Sequence, residues 1–205
     1  MIKVTAVLLQ ASKRWWYEWT AVLPLVLAWV VCQFLIVPGP PATAVLYSLM
    51  RQSADDQWWH GRDAWNAMKA MFWPAWQWAL VNGVVVGLAL FNLLVYWDAP
   101  GALWTAFRIV WLLALTIWLG LNLVYWPFWL AQTDKSMRNT YLNGGRFLLL
   151  NPLGGLGITA VCLLVLFVSV LTILPFVLGS MAWVALVGIT AVDSSLARVD
   201  PGSKS

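Results

Sequence analysis

The sequence predicts an all-α protein: a polytopic membrane helix bundle of about five transmembrane helices plus interfacial amphipathic helices, forming one membrane domain over residues 1–205. Three observations carry this. The chain is 62% hydrophobic and 10% charged, whereas a soluble domain is about 45–50% apolar and about 25% charged. The charges are clustered, leaving uncharged runs at 19–50, 70–97, 109–133 and 147–192. One span needs roughly 20 apolar residues, so the first three runs hold one each and the last holds two. Finally, many of the 17 tryptophans fall near the ends of these runs. Trp78 and Trp97 bracket one run and Trp104 and Trp129 another, on the order of 30–38 Å apart along a helix. That separation suits the two aromatic belts of a bilayer.

Residues 1–18 carry Lys3, Lys13, Arg14 and Glu18 among apolar residues. They read as an interfacial helix that feeds the first span. The spans are expected at 20–37, 74–96, 109–130, 153–174 and 176–192, with Pro175 dividing the last two. Pro38, Gly39, Pro40 and Pro41 form a structural break. Proline lacks the helical donor and restricts the residue before it, so the first helix stops there. A short helix over 42–52 then lies near the surface, with Thr43 helping to satisfy its first donors.

The polar loop 51–73 holds Asp55, Asp56 and the chain's single histidine, His60. Its second half is amphipathic: Trp65, Met68 and Phe72 share one face, and Arg62, Asn66 and Lys69 another. It reads as a headgroup-level helix that Pro74 turns into the bilayer. In the second span, Gly83 and Gly87 form a Gly-x-x-x-Gly match, a helix–helix packing signature within one chain or between two. Asn82 and Asn92 should find partners inside the bundle, because unpaired amides in hydrocarbon are costly. The third span carries a stripe of Trp111, Trp118, Asn122, Tyr125 and Trp129. Asn82, Asn92, Asn122, Tyr125 and Trp118 are therefore the candidate cavity or packing residues. The loop 131–152 is polar, then amphipathic, and ends at Asn151-Pro152. Gly154, Gly155 and Gly157 open the fourth span for close packing.

The sequence holds no Ser/His/Asp set, no paired carboxylates within a span and no metal-ligand spacing; Cys32 and Cys162 fall inside spans. The expectation is a non-enzymatic protein without cofactor or metal.

The break continuing as Gly39-Pro40-Pro41-Ala42-Thr43-Ala44-Val45-Leu46-Tyr47 resembles the Gly-Pro-Ala-Thr-Ala-Ala-Leu pattern of YesL, a bacterial membrane-protein family of unknown molecular function. The loop helix with Trp65 and Phe72, and Tyr125-Trp126-Pro127-Phe128 followed by Asn151-Pro152, resemble that family in order and spacing. The extra proline and the acidic loop after Arg51 depart from it. The resemblance implies a multi-pass protein of the bacterial cell membrane associated with carbohydrate uptake. The expected function is an accessory component of carbohydrate or solute uptake; the alternative is a small transporter or channel with its own polar cavity. The expected partners are the lipid bilayer, ATP-binding-cassette transporter subunits or a second copy of the chain, and not nucleic acid.

Charge bias favours the loops 38–73 and 131–152 on the cytoplasmic side. With the N-terminus outside, eight Lys/Arg face four across the membrane. If the first run folds back as a hairpin, the N-terminal tail joins the cytoplasmic side and the count becomes eleven against one. The length of 42–50 argues against that hairpin.

Overall fold

The computed structural model describes residues 3–172 and 179–199, and every element among them is helical. In chain order the helices are α1 (Val4–Tyr17), α2 (Trp19–Phe34), α3 (Gly39–Ala54), α4 (Gly61–Val95), α5 (Ala102–Ala131), α6 (Met137–Leu150), α7 (Pro152–Thr172) and α8 (Ser180–Val199). Four of them, α4, α5, α7 and α8, are long and apolar enough to cross a membrane. A fifth span arises only if α1 and α2, bent by 91°, are taken together. The chain thus has the character of an integral membrane helix bundle.

The first expected span is corrected. Helix α2 has 16 residues, roughly 24 Å by helical rise, and then reverses. The turn after Phe34 places Ile36 at φ +57°, a backbone region unfavourable for a β-branched side chain. Helix α3 returns alongside α2. The two far ends meet: Arg14 Nη1 donates to the Ala54 carbonyl at 2.6 Å, and Ser53 Oγ donates to the Glu18 carboxylate. The first apolar run is therefore a helical hairpin with its start and finish side by side. Its tip exposes Phe34, Leu35, Ile36 and Val37.

The short surface helix expected at 42–52 is also corrected. It begins at Gly39, with proline in its first turn, where the missing donor has no cost. It is central rather than superficial. Ala44, Leu46, Leu49 and Met50 are fully buried, and α2, α4, α5 and α8 all pack against α3. Small residues on several faces let those helices approach together. Thr43 does not cap the helix. Its hydroxyl donates back to the Gly39 carbonyl at 3.3 Å and accepts from the Trp29 indole at 3.0 Å. Gln33 Nε2 also donates to the Gly39 carbonyl, at 3.0 Å. The break is thus held by side chains of α2. Thr43→Val removes the acceptor for the Trp29 indole, and thermal unfolding in detergent should report a loss of about 1 kcal/mol.

The amphipathic loop segment and the second span are one continuous 35-residue helix, α4, with Pro74 inside it. A proline removes a single helical bond, and the flanking turns of so long a helix hold. His60 caps its start: its backbone N–H donates to Asp63 Oδ2 at 2.8 Å. Asn151-Pro152 separates α6 from α7 as expected. Ser136 caps α6 by accepting from the Asn139 backbone at 3.3 Å. The glycines opening α7 do pack closely: a Cβ on Gly155 would lie 2.7 Å from Leu148 Cδ2 of α6. The expected division at Pro175, and the first residues of the span 176–192, lie outside the described residues.

Candidate functional site

Helices α4 and α5 each carry a tryptophan followed four residues later by an asparagine: Trp78 and Asn82, Trp118 and Asn122. At that spacing the two side chains of each pair share a helix face. The helices lie antiparallel, so the pairs meet reciprocally. The Trp78 indole donates to Asn122 Oδ1 at 2.8 Å, and the Trp118 indole donates to Asn82 Oδ1 at 2.9 Å. Each amide nitrogen donates to the carbonyl of the tryptophan one turn earlier, Asn82 to Trp78 and Asn122 to Trp118, both at 2.8 Å. Tyr141 of α6 adds a second donor to Asn122 Oδ1, at 3.4 Å. The result is a closed clasp in which both amides are engaged on both their oxygen and nitrogen sides.

Of the candidate cavity residues, Asn82, Asn122, Trp118 and Tyr125 are brought together and Asn92 is not. Asn92 lies nearly three turns further along α4 and donates only to its own helix, at the Leu88 carbonyl, 2.8 Å away. Trp118 stacks on Tyr141, with centroids 5.1 Å apart, and Tyr125 lies 4.9 Å from the same ring. One face of Trp118 is thus taken up by Tyr141. Trp111 lies apart, against Phe107. Trp78 and Trp129 are not belt residues. Trp129 is buried, and Trp78 is in the clasp and packs on Trp126 at 5.7 Å.

Beside the clasp lies a cavity of about 140 Å³, lined chiefly by apolar side chains of α5, α7 and α8, Cys162 among them, and bordered also by Tyr47 of α3 and by Trp78 and Asn122 of the clasp. Trp126 borders it, is fully buried and has no partner for its indole N–H; the Tyr125 hydroxyl is likewise unpartnered. Cys162 is buried and free. Among the described residues no three His, Cys, Asp or Glu side chains converge to hold a metal ion.

Gly83 and Gly87 make no close helix contact within the chain. A Cβ on either would meet nothing within 4 Å. They share an outward face of α4 with Leu90 and Leu94, both exposed. The closest helix approach that sequence reasoning missed is at Gly188 of α8. A Cβ there would lie 2.7 Å from the Leu123 carbonyl oxygen of α5 and 3.2 Å from Pro127 Cγ. Because Gly83 and Gly87 are open, Gly83→Leu with Gly87→Leu should leave monomer stability within about 0.5 kcal/mol of wild type or slightly raise it. Thermal unfolding in detergent checks this, and a marked loss would place a hidden neighbour on that face.

Neither a family model, nor a curated protein, nor a solved structure matches this chain.

Proposed function

We propose that this protein is a non-enzymatic accessory component of a membrane solute-uptake system, engaging other membrane helices through the outward glycine face of α4. The observation that carries this reading is the clasp. The amides that could have lined a solute path are engaged by Trp78, Trp118 and their own helices. A transported polar solute needs convergent groups free to bind it. In lipid, helices associate through close backbone approach at small residues and through interhelical hydrogen bonds. Gly83 and Gly87 offer such an approach, and Asn92 retains hydrogen-bonding capacity beyond its own helix. Carbohydrate as the solute rests on the resemblance to YesL alone, as do a bacterial cell membrane and ATP-binding-cassette subunits as partners.

A second reading, a small transporter with its own path, draws on the cavity and on the unpartnered Trp126 and Tyr125 donors. One experiment separates the two. The tagged protein is purified from its native membrane under mild detergent, and separately reconstituted in vesicles for sugar flux. The accessory reading expects a permease subunit to copurify, to be lost with Gly83→Leu/Gly87→Leu, and expects no flux above empty vesicles. Flux without a partner would replace it with the second reading.

A further inference from the structure

The α2–α3 hairpin opens on one face of the molecule. Arg14 of α1 bonds the Ala54 carbonyl and Asp56, and Ser53 bonds Glu18, so the chain enters the hairpin beside the point where it leaves. Each arm has 16 residues, about 24 Å by helical rise, short of the roughly 30 Å of hydrocarbon. No charged side chain lies between Trp19 and Met50, while Lys13, Arg14 and Glu18 precede that run and Arg51, Asp55 and Asp56 follow it.

The far end has the opposite character. Phe34, Leu35, Ile36 and Val37 are exposed in succession, at 59–83%. A turn in water would place glycine or asparagine at a positive φ; here Ile36 takes that position at φ +57°. The polar backbone of the turn is served from within the protein. The Trp76 indole of α4 donates to the Val37 carbonyl at 3.1 Å, Gln33 donates to the Gly39 carbonyl at 3.0 Å, and the Gly39 N–H donates to the Ile36 carbonyl at 3.1 Å. Exposed apolar side chains around satisfied backbone groups are what hydrocarbon demands. A protein-docking tip would carry a polar rim, and residues 34–42 hold no polar side chain.

We infer that this hairpin is re-entrant: it enters and leaves the bilayer from the cytoplasmic face, its tip seated among lipid acyl chains, and α4 makes the first crossing. The orientation comes from charge. Lys13, Arg14, Arg51, Arg62 and Lys69 all precede the uncharged stretch of α4, and Arg108 is the sole Lys or Arg between residues 70 and 134. Basic residues collect on the cytoplasmic side. The partner of the exposed tip is therefore the inner leaflet.

Single-cysteine variants of the full chain test this, in a Cys32→Ala background that itself serves as the blank. Lys13→Cys, Gln57→Cys and Asp98→Cys, all at exposed positions, are treated with a membrane-impermeant maleimide in intact cells of a bacterial host and in inverted vesicles. A nitroxide on Leu35→Cys, in reconstituted vesicles, reports its surroundings through collisions with oxygen and with a water-soluble nickel chelate. Lys13→Cys and Gln57→Cys should react in inverted vesicles and be protected in intact cells, and Asp98→Cys should do the reverse. The Leu35 nitroxide should collide with oxygen and not with nickel. Reaction of Lys13→Cys and Gln57→Cys on opposite faces would make the first run a crossing, and reaction of both in intact cells would reverse the orientation; either overturns the proposal. So would nickel collisions at Leu35, which put the tip in water, or few collisions with either reagent, which put protein against it.

Discussion

Gly188→Ala is expected to destabilise the bundle by about 3 kcal/mol or more, and Gly87→Ala to stabilise it slightly, although both place the same methyl group on a membrane helix. Pro127 has no N–H, so the Leu123 carbonyl one turn earlier loses its helical donor. Helix α8 fills that gap with its backbone at Gly188. An added Cβ would stand 2.7 Å from the Leu123 oxygen, a contact that only a shift of the helices can relieve. Overpacking of this kind costs typically 1–3 kcal/mol, and more where the obstacle is backbone. At Gly87 no neighbour lies within 4 Å, so alanine adds only its helix propensity, up to about 1 kcal/mol. Thermal unfolding of both variants in one detergent reads the opposite signs. A Gly188→Ala protein that melts like wild type would remove the α5–α8 contact from this description.

The second large effect belongs to the clasp. Asn82→Leu with Asn122→Leu leaves the Trp78 and Trp118 indoles without their acceptors and releases Tyr141. Hydrogen bonds between membrane helices average about 0.6 kcal/mol and reach about 1.7. Loss of the two reciprocal bonds, with half-buried indole donors left behind, should amount to about 2 kcal/mol. Because the bonds form a closed ring, each single variant should lose more than half of the double variant's effect. Additive, small losses would mean that the two Trp–Asn pairs act independently.

The helical class and most helix positions were legible because uncharged runs, prolines and glycines are local signals. The four runs became α2 with α3, α4, α5, and α7 with α8. Three features were not local. The burial of α3 depends on neighbours from α2, α4, α5 and α8, and 16 residues of mixed small and apolar side chains do not announce a core position. The Gly83/Gly87 spacing marks a capacity for close approach, and the chain makes a close approach to backbone at a lone glycine, Gly188, opposite Pro127. In the candidate site, Asn82, Asn122, Trp118 and Tyr125 were readable as polar or aromatic groups in hydrocarbon. Their partner Trp78 looked like a belt residue by position along the helix. The recurrence of Trp-x-x-x-Asn in two successive spans is the signal that would have found it. Tyr141 lies on a separate helix, and no spacing in the sequence ties it to Asn122.

The central claim is that the polar groups between α4 and α5 close the bundle and open no aqueous path. Cys162 is a native reporter for it, since it borders the same cavity as Asn122 and is 2% exposed. With Cys32 replaced by alanine, the rate at which a charged, membrane-impermeant methanethiosulfonate modifies Cys162 can be measured from each side of sealed vesicles. The account predicts no modification from either side until the protein is unfolded. Rapid modification of Cys162 in the folded protein from either side would contradict it and restore a water-filled route through the bundle.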